Sequence, residues 1–176
     1  MLKPALVYLF FCICLLSLTQ CQKDKVEPLS PVKTTDLIGI WQLKMASTVI
    51  KGTVNGTPQN INQKRDGTPD EFLQFLNDGG VASDPADIFG TGTYGWRVFI
   101  DNGNDLTLRK GSAGNKDFGY FTIRVNANQM KWTMSKEQAI KSSQDSEGFS
   151  SVLNGSTDIF DDLQEFNLTL EFTKVK

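Results

Sequence analysis

The chain has no histidine, and its three cysteines, Cys12, Cys14 and Cys21, all lie at or before position 21. Beyond Cys21 there is therefore neither imidazole nor thiol. Zinc sites of the His or Cys type are excluded from that body, as are Ser-His-Asp and Cys-His nucleophiles and the side chain that ordinarily moves protons near neutral pH. No disulfide can brace the fold, so an apolar core has to stabilise it. Excess charge is missing too: 18 basic residues face 20 acidic ones, a formal net charge of −2. Lys and Arg are scattered rather than striped, which argues against a nucleic-acid partner. Only one long apolar run is present, Ala5 to Leu18, and it is shorter than the roughly 20 residues a membrane span needs. No metal or cofactor is expected, and an enzyme here would depend on carboxylates, Lys or Tyr.

What is present at the amino end is an ordered series. Lys3, the apolar run and Leu18-Thr19-Gln20-Cys21 follow one another as the basic start, apolar stretch and processing site of a secretory signal. Leu18-Thr19-Gln20-Cys21 resembles the bacterial lipobox, whose cysteine is diacylated through sulfur and becomes the first residue after cleavage. Gln20 stands where that motif usually carries Gly, Ala or Ser. The Lys23-Asp24-Lys25 that follows is similar to the surface-export signals of Bacteroidetes-type lipoproteins. The resemblance implies that residues 1–20 are a signal peptide and that Cys21 is lipid-modified. It also implies a mature protein held in the cell envelope, at the outer membrane, on its periplasmic or surface face. Each acyl CH₂ buried in a bilayer contributes about 0.8 kcal/mol, so two or three chains hold a small domain without a spanning helix. From Gln22 to Thr35 the chain is charged, with Pro28 and Pro31, and residues 21–35 read as a lipid-anchored flexible tether reaching roughly 40 Å if extended. Asp36 to Lys176, about 140 residues, suits one domain with one core.

Within that domain the dominant period is two. Phe166, Leu168, Leu170 and Phe172 alternate with Asn167, Thr169, Glu171 and Thr173, the pattern of a strand with one dry and one wet face. Tyr94, Trp96, Val98 and Ile100 do the same, imperfectly at Phe99. So do Phe121, Ile123 and Val125, then Met130, Trp132 and Met134, and also Trp41, Leu43 and Met45 against Gln42 and Lys44. Asp101-Asn102-Gly103-Asn104, Asn77-Asp78-Gly79-Gly80 and Asn126-Ala127-Asn128-Gln129 supply the turns. This spacing predicts an all-β fold, an antiparallel meander curled into a barrel or sandwich. Gly52 to Thr68 is polar and turn-rich and reads as a long loop. Ser135 to Asp162 reads as a second, with a short helix near 136–146 capped by Ser135, a turn over Asp158 to Leu163, and a strand at Phe149 to Leu153 as an alternative. Loops of this length are where a mouth or lid is expected.

Short motifs with familiar letters have plain explanations. Asp117-Phe118-Gly119 lacks the Gly-rich and catalytic loops of a kinase and reads as a turn before a strand. Gly90-Thr91-Gly92 precedes a strand rather than joining strand to helix, so it is no phosphate cradle. Asp101, Asn102, Asn104 and Asp105 lack the spacing of a calcium loop. Asp70-Glu71 and Asp161-Asp162 offer paired carboxylates for glycoside hydrolysis, but neighbouring acids on a strand point to opposite faces. No catalytic residue is assigned.

Leu37-Ile38-Gly39-Ile40-Trp41-Gln42-Leu43 at the start of the domain looks like the Gly-x-Trp strand of lipocalins. Phe75 to Gly79, Gly92-Thr93-Tyr94, Leu106-Thr107-Leu108, Tyr120 to Val125 and Met130 to Met134 follow the order seen in lipocalin-like lipoproteins of Bacteroidetes-type bacteria. The resemblance implies a lipocalin-like barrel in which Gly39 and Trp41 are structural, with Trp41 across the closed end. Two other lipocalin motifs, a Thr-Asp-Tyr-like turn and a late arginine over that tryptophan, are not placed in the sequence. In such a barrel Trp41, Tyr94, Trp96, Phe121 and Trp132 would line an interior that is either filled or open to one small hydrophobic molecule. The sequence leaves both open, and with them a carrier or a module that binds a protein or glycan through its loops.

Overall fold

The computed structural model describes residues 30–54, 56–85, 96–110, 117–145 and 160–175. Along the described chain run α1 (Thr34–Leu37), β1 (Gly39–Val54), β2 (Thr57–Asp66), β3 (Glu71–Phe75), β4 (Gly80–Pro85), β5 (Trp96–Asp101), β6 (Asp105–Lys110), β7 (Asp117–Asn126), β8 (Gln129–Ser135), α2 (Lys136–Asp145) and β9 (Leu163–Lys174). From β3 to β9 each strand pairs with the next, all antiparallel, and β9 returns to β1. β2 and β3 lie end to end on the same edge of β1: Met45 to Val54 pair with Asp66 to Thr57, and Gly39 to Gln42 with Phe75 to Phe72. Counting these two as one interrupted strand, the barrel is closed and eight-stranded, as the alternation and the lipocalin-like order predict.

The strands enclose one core, with Trp41, Leu43, Leu73, Leu106, Leu108, Phe121, Ile123, Trp132 and Phe172 all but inaccessible. Tight turns gather at one end. There Asn102 and Gly103, in the three-residue loop between the paired Asp101 and Asp105, both adopt positive φ, 50° and 77°, a region that Asn and Gly enter more readily than other residues. Gly79 and Ala127 do so in the neighbouring turns, and α1 packs beside them through Leu37. This is the closed end. The ends of β4, β6, β8 and the β1–β2 hairpin lie at the opposite end, termed the open end.

α2 fits the expected helix. Ser135 Oγ accepts from the Gln138 N–H at 3.3 Å, and the Ser135 N–H donates to Gln138 Oε1 at 2.9 Å, a reciprocal capping box. The helix covers β7 where β8 stops pairing: Tyr120 N–H donates to Ser142 Oγ at 3.0 Å.

Three expectations are corrected. Gly52 to Thr68 is not a loop; β1 and β2 continue through it as a hairpin with Gly56 at φ 75°. Asn55-Gly56 is the local hairpin signal, but residues on both faces of β2 are largely exposed, and period two is visible only when one face is dry. Met45 does not follow Trp41 and Leu43 inward. β1 bulges against β9 between Leu43 and Met45, so Ala46 and Ile50 pack on the core instead. Ser30 to Thr35, assigned to the tether, belong to the barrel. The Val32 N–H donates to Gly103 O at 2.5 Å, and the Val32 side chain is buried. Tyr94, Gly90 to Gly92 and Phe149 to Leu153 lie outside the described residues, as does Cys21.

Candidate functional site

The Gly-x-Trp strand shows why those two residue types stand there. Gly39 has φ 129°, a conformation side-chain-bearing residues rarely adopt, and it turns the chain from α1 into β1. Trp41 then points inward with no exposure, and its Nε1–H donates to Leu37 O at 2.6 Å. That bond satisfies a carbonyl at the end of α1 and the only polar atom of the indole. Lys174, from the last strand, places Nζ 5.2 Å from the Trp41 ring centroid. A cation thus lies over the tryptophan where lipocalins have the late arginine, but here it is a lysine. Gly39 thus sets the turn into β1, and Trp41 is packed in the core.

Of the residues expected to line an interior, Trp41, Phe121 and Trp132 do point inward and are buried. They are brought together as packing. Trp132 touches Phe121, Phe172 and Phe75 at ring-centroid separations of 5.3, 5.7 and 6.2 Å, within the range of favourable aromatic pairs. Gly119 leaves room for the same cluster, since a β-carbon there would come within 3.0 Å of the Phe121 ring. The lower barrel is occupied by its own side chains. Near the open end Phe160 packs edge-on against Phe166 at 5.5 Å. Tyr94 lies outside the described residues, and of Trp96 the backbone alone is described, paired with Val81 and Lys110.

Above the aromatic cluster the wall changes character. Ala46 and Thr48 pair with Arg65 and Gln63, so these four share one face of the β1–β2 hairpin, the face on which Ala46 meets the core. With Asn62 and Lys64 they line a cleft of about 480 Å³. At its lower edge Glu71 is buried on β3, and its carboxylate receives both guanidinium nitrogens of Arg65, at 2.7 and 2.8 Å. The Thr68 N–H donates to the same carboxylate at 2.8 Å. Arg65 chiefly, then Thr68, hold the Glu71 carboxyl below the ordinary carboxylate range. No family model, no curated protein and no solved structure matches the chain. The assignment of a site therefore stands on this geometry.

Of the two carboxylate pairs, Asp70 lies in the turn before β3 and Glu71 at the start of that strand, while Asp161 and Asp162 share the turn before β9. Glu71 is turned in and committed to Arg65, while Asp70, Asp161 and Asp162 are exposed. Asp101 to Asp105 form the β5–β6 turn, whereas Asp117-Phe118-Gly119 is not a turn before a strand but the start of β7 itself, with Gly119 paired to Leu108. On the outer wall a second groove, about 380 Å³, is lined by Lys44, Arg124, Gln129, Lys131 and Glu171 among others. Lys131 pairs with Glu171 there at 3.0 Å. Arg65 and the inner hairpin face escaped sequence reasoning because Gly52 to Thr68 carries too little apolar patterning to announce a strand.

Proposed function

We propose that the chain is a lipid-anchored protein of the cell envelope, non-catalytic, whose barrel is a filled scaffold binding a protein or glycan partner at its open end. The packing of Trp132 against Phe75, Phe121 and Phe172 carries this reading. Residues that would have to stand apart to admit a ligand deep in the barrel are in ring contact. The polar hairpin face of Thr48, Gln63 and Arg65 then offers the contact surface. Cys21 is the site of lipid attachment in this reading, and Cys21→Ser is expected to abolish acyl labelling; labelling that survives the change sinks the anchor.

A second reading, a carrier of one small hydrophobic molecule at the open end, is favoured by the cleft itself. Its volume suits a small ligand, and Ala46 and Ile50 give the neighbouring wall an apolar component. Native mass spectrometry separates the two. Residues 22–176 are incubated with a lipid extract of the native cells, and a clean apo mass is expected. A stoichiometric adduct that disappears on Thr48→Trp, which fills the cleft, would establish the carrier.

A further inference from the structure

We infer that the barrel stands with its closed end against the phospholipid bilayer and its open end turned to solvent. This rests on Cys21 being the lipid anchor. The first observation is where the chain leaves the fold. Asn104 Nδ2 donates to Ser30 O and to Ile123 O, each at 3.0 Å, and the Val32 N–H donates to Gly103 O. Pro31 lies so close to Gly103 that a β-carbon there would come within 2.9 Å of it. Ser30 to Val32 are thereby pinned to the β5–β6 turn, at the closed end.

The second observation is length. Only Gln22 to Leu29 separate Cys21 from Ser30, so even a fully extended connection spans at most about 30 Å. β9, from Leu163 to Lys174, rises about 3.4 Å per residue and tilts by about 40° in a closed barrel, giving a height of roughly 30 Å. An open end set on the bilayer would need the connection drawn taut along the whole outer wall. A closed end on the bilayer needs no extension.

The third is the surface at that end. Among the described residues the exposed large hydrophobics are Leu76, Phe99 and Val175. Phe99 lies under the Arg109 guanidinium, 4.5 Å from its ring centroid. Leu76 and Val175 are at the closed rim: the Leu76 N–H donates to Gly80 O across the β3–β4 turn, and the Val175 N–H to Ile40 O. The elements that meet at this end carry charges of both signs, Lys33 and Asp36 beside α1 and the pairs Arg97–Asp78 and Lys131–Glu171, so a zwitterionic phospholipid surface suffices and an anionic one is not required. The consequence is that the hairpin face of Gln63 and Arg65 meets its partner in the aqueous space rather than drawing it from the bilayer beneath.

The lipidated chain processed at Cys21 is the test material. With residues 1–20, and so Cys12 and Cys14, removed and the Cys21 sulfur carrying lipid, an introduced cysteine is its only thiol. Asn77→Cys marks the closed end and Thr57→Cys the open end, both at exposed positions. Each is labelled with a donor fluorophore and bound to phosphatidylcholine vesicles containing an acceptor lipid. Energy transfer severalfold stronger from position 77 than from position 57 is expected. Equal transfer, or stronger transfer from 57, overturns the orientation. Flotation with the vesicles is scored separately, and a processed chain that fails to float overturns the anchor reading instead.

Discussion

Gly67 lies so close to the backbone of Leu43 that a β-carbon at position 67 would overlap the Leu43 carbonyl oxygen. The Gly67 N–H donates to Lys44 O at 2.9 Å. At the same height β1 bulges against β9 between Leu43 and Met45. Both edges of β1 therefore jog together. Between the pairs Gln42–Phe72 and Met45–Asp66 the β1 side has two residues and the β2–β3 side five. The surplus is folded into the kink at Gly67. This device swaps the inward face of β1 from Leu43 to Ala46 and opens the hairpin out above the aromatic cluster.

Gly67→Ala is expected to destabilise the domain by about 2–4 kcal/mol, as backbone overlap in a packed site does. Urea denaturation is the measurement. A lower midpoint with an unchanged slope is the expected result, since the contact, not the compactness of the denatured chain, is altered.

The Arg65–Glu71 pair gives a pH signature. Hydrogen bonding by Arg65, aided by Thr68, lowers the Glu71 carboxyl in the folded state, so ionised Glu71 contributes stability that is present above its unfolded value of about 4.3. That contribution is lost as pH falls through the lower, folded value. Stability followed from pH 6 downward is expected to fall less steeply in Glu71→Gln than in the parent. At neutral pH this variant should lose about 1–2 kcal/mol, a modest figure because the Arg65 side chain is 53 % exposed and solvent screens it.

Lys174→Met keeps the aliphatic stem and removes the charge over Trp41. A loss of about 0.5–1 kcal/mol is expected, read by thermal unfolding. Trp41→Phe removes the indole bond to Leu37 O and should cost more, about 1–3 kcal/mol, because a helix-end carbonyl and packing volume are lost together.

Ala127 holds a turn at φ 44°, where a β-carbon is unfavourable by about 1–2 kcal/mol. Ala127→Gly is expected to raise stability by about 0.5–1 kcal/mol, a shift in melting temperature of about 2–4 °C. A lower melting temperature would mean that the glycine's extra freedom in the unfolded chain outweighs the relieved strain.

Sequence alone determined the elements whose patterning is local and one-sided. Phe166 to Phe172, Met130 to Met134 and Phe121 to Val125 have one dry face, and that face is printed in their alternation. Ser135 with Gln138 marks a helix start at fixed spacing, and Gly39-x-Trp41 announces a turn followed by an inward indole. The tertiary structure decided what depends on partners distant in the chain. Lys174 lies over Trp41 because β9 closes on β1. Arg65 meets Glu71 because a kink brings one strand's surplus residues back into line. Trp132 is packing because Phe75, Phe121 and Phe172, from three other strands, converge on it. A residue's alternation tells which way it points; whether it meets a cavity or another ring depends on side chains that closure alone brings together.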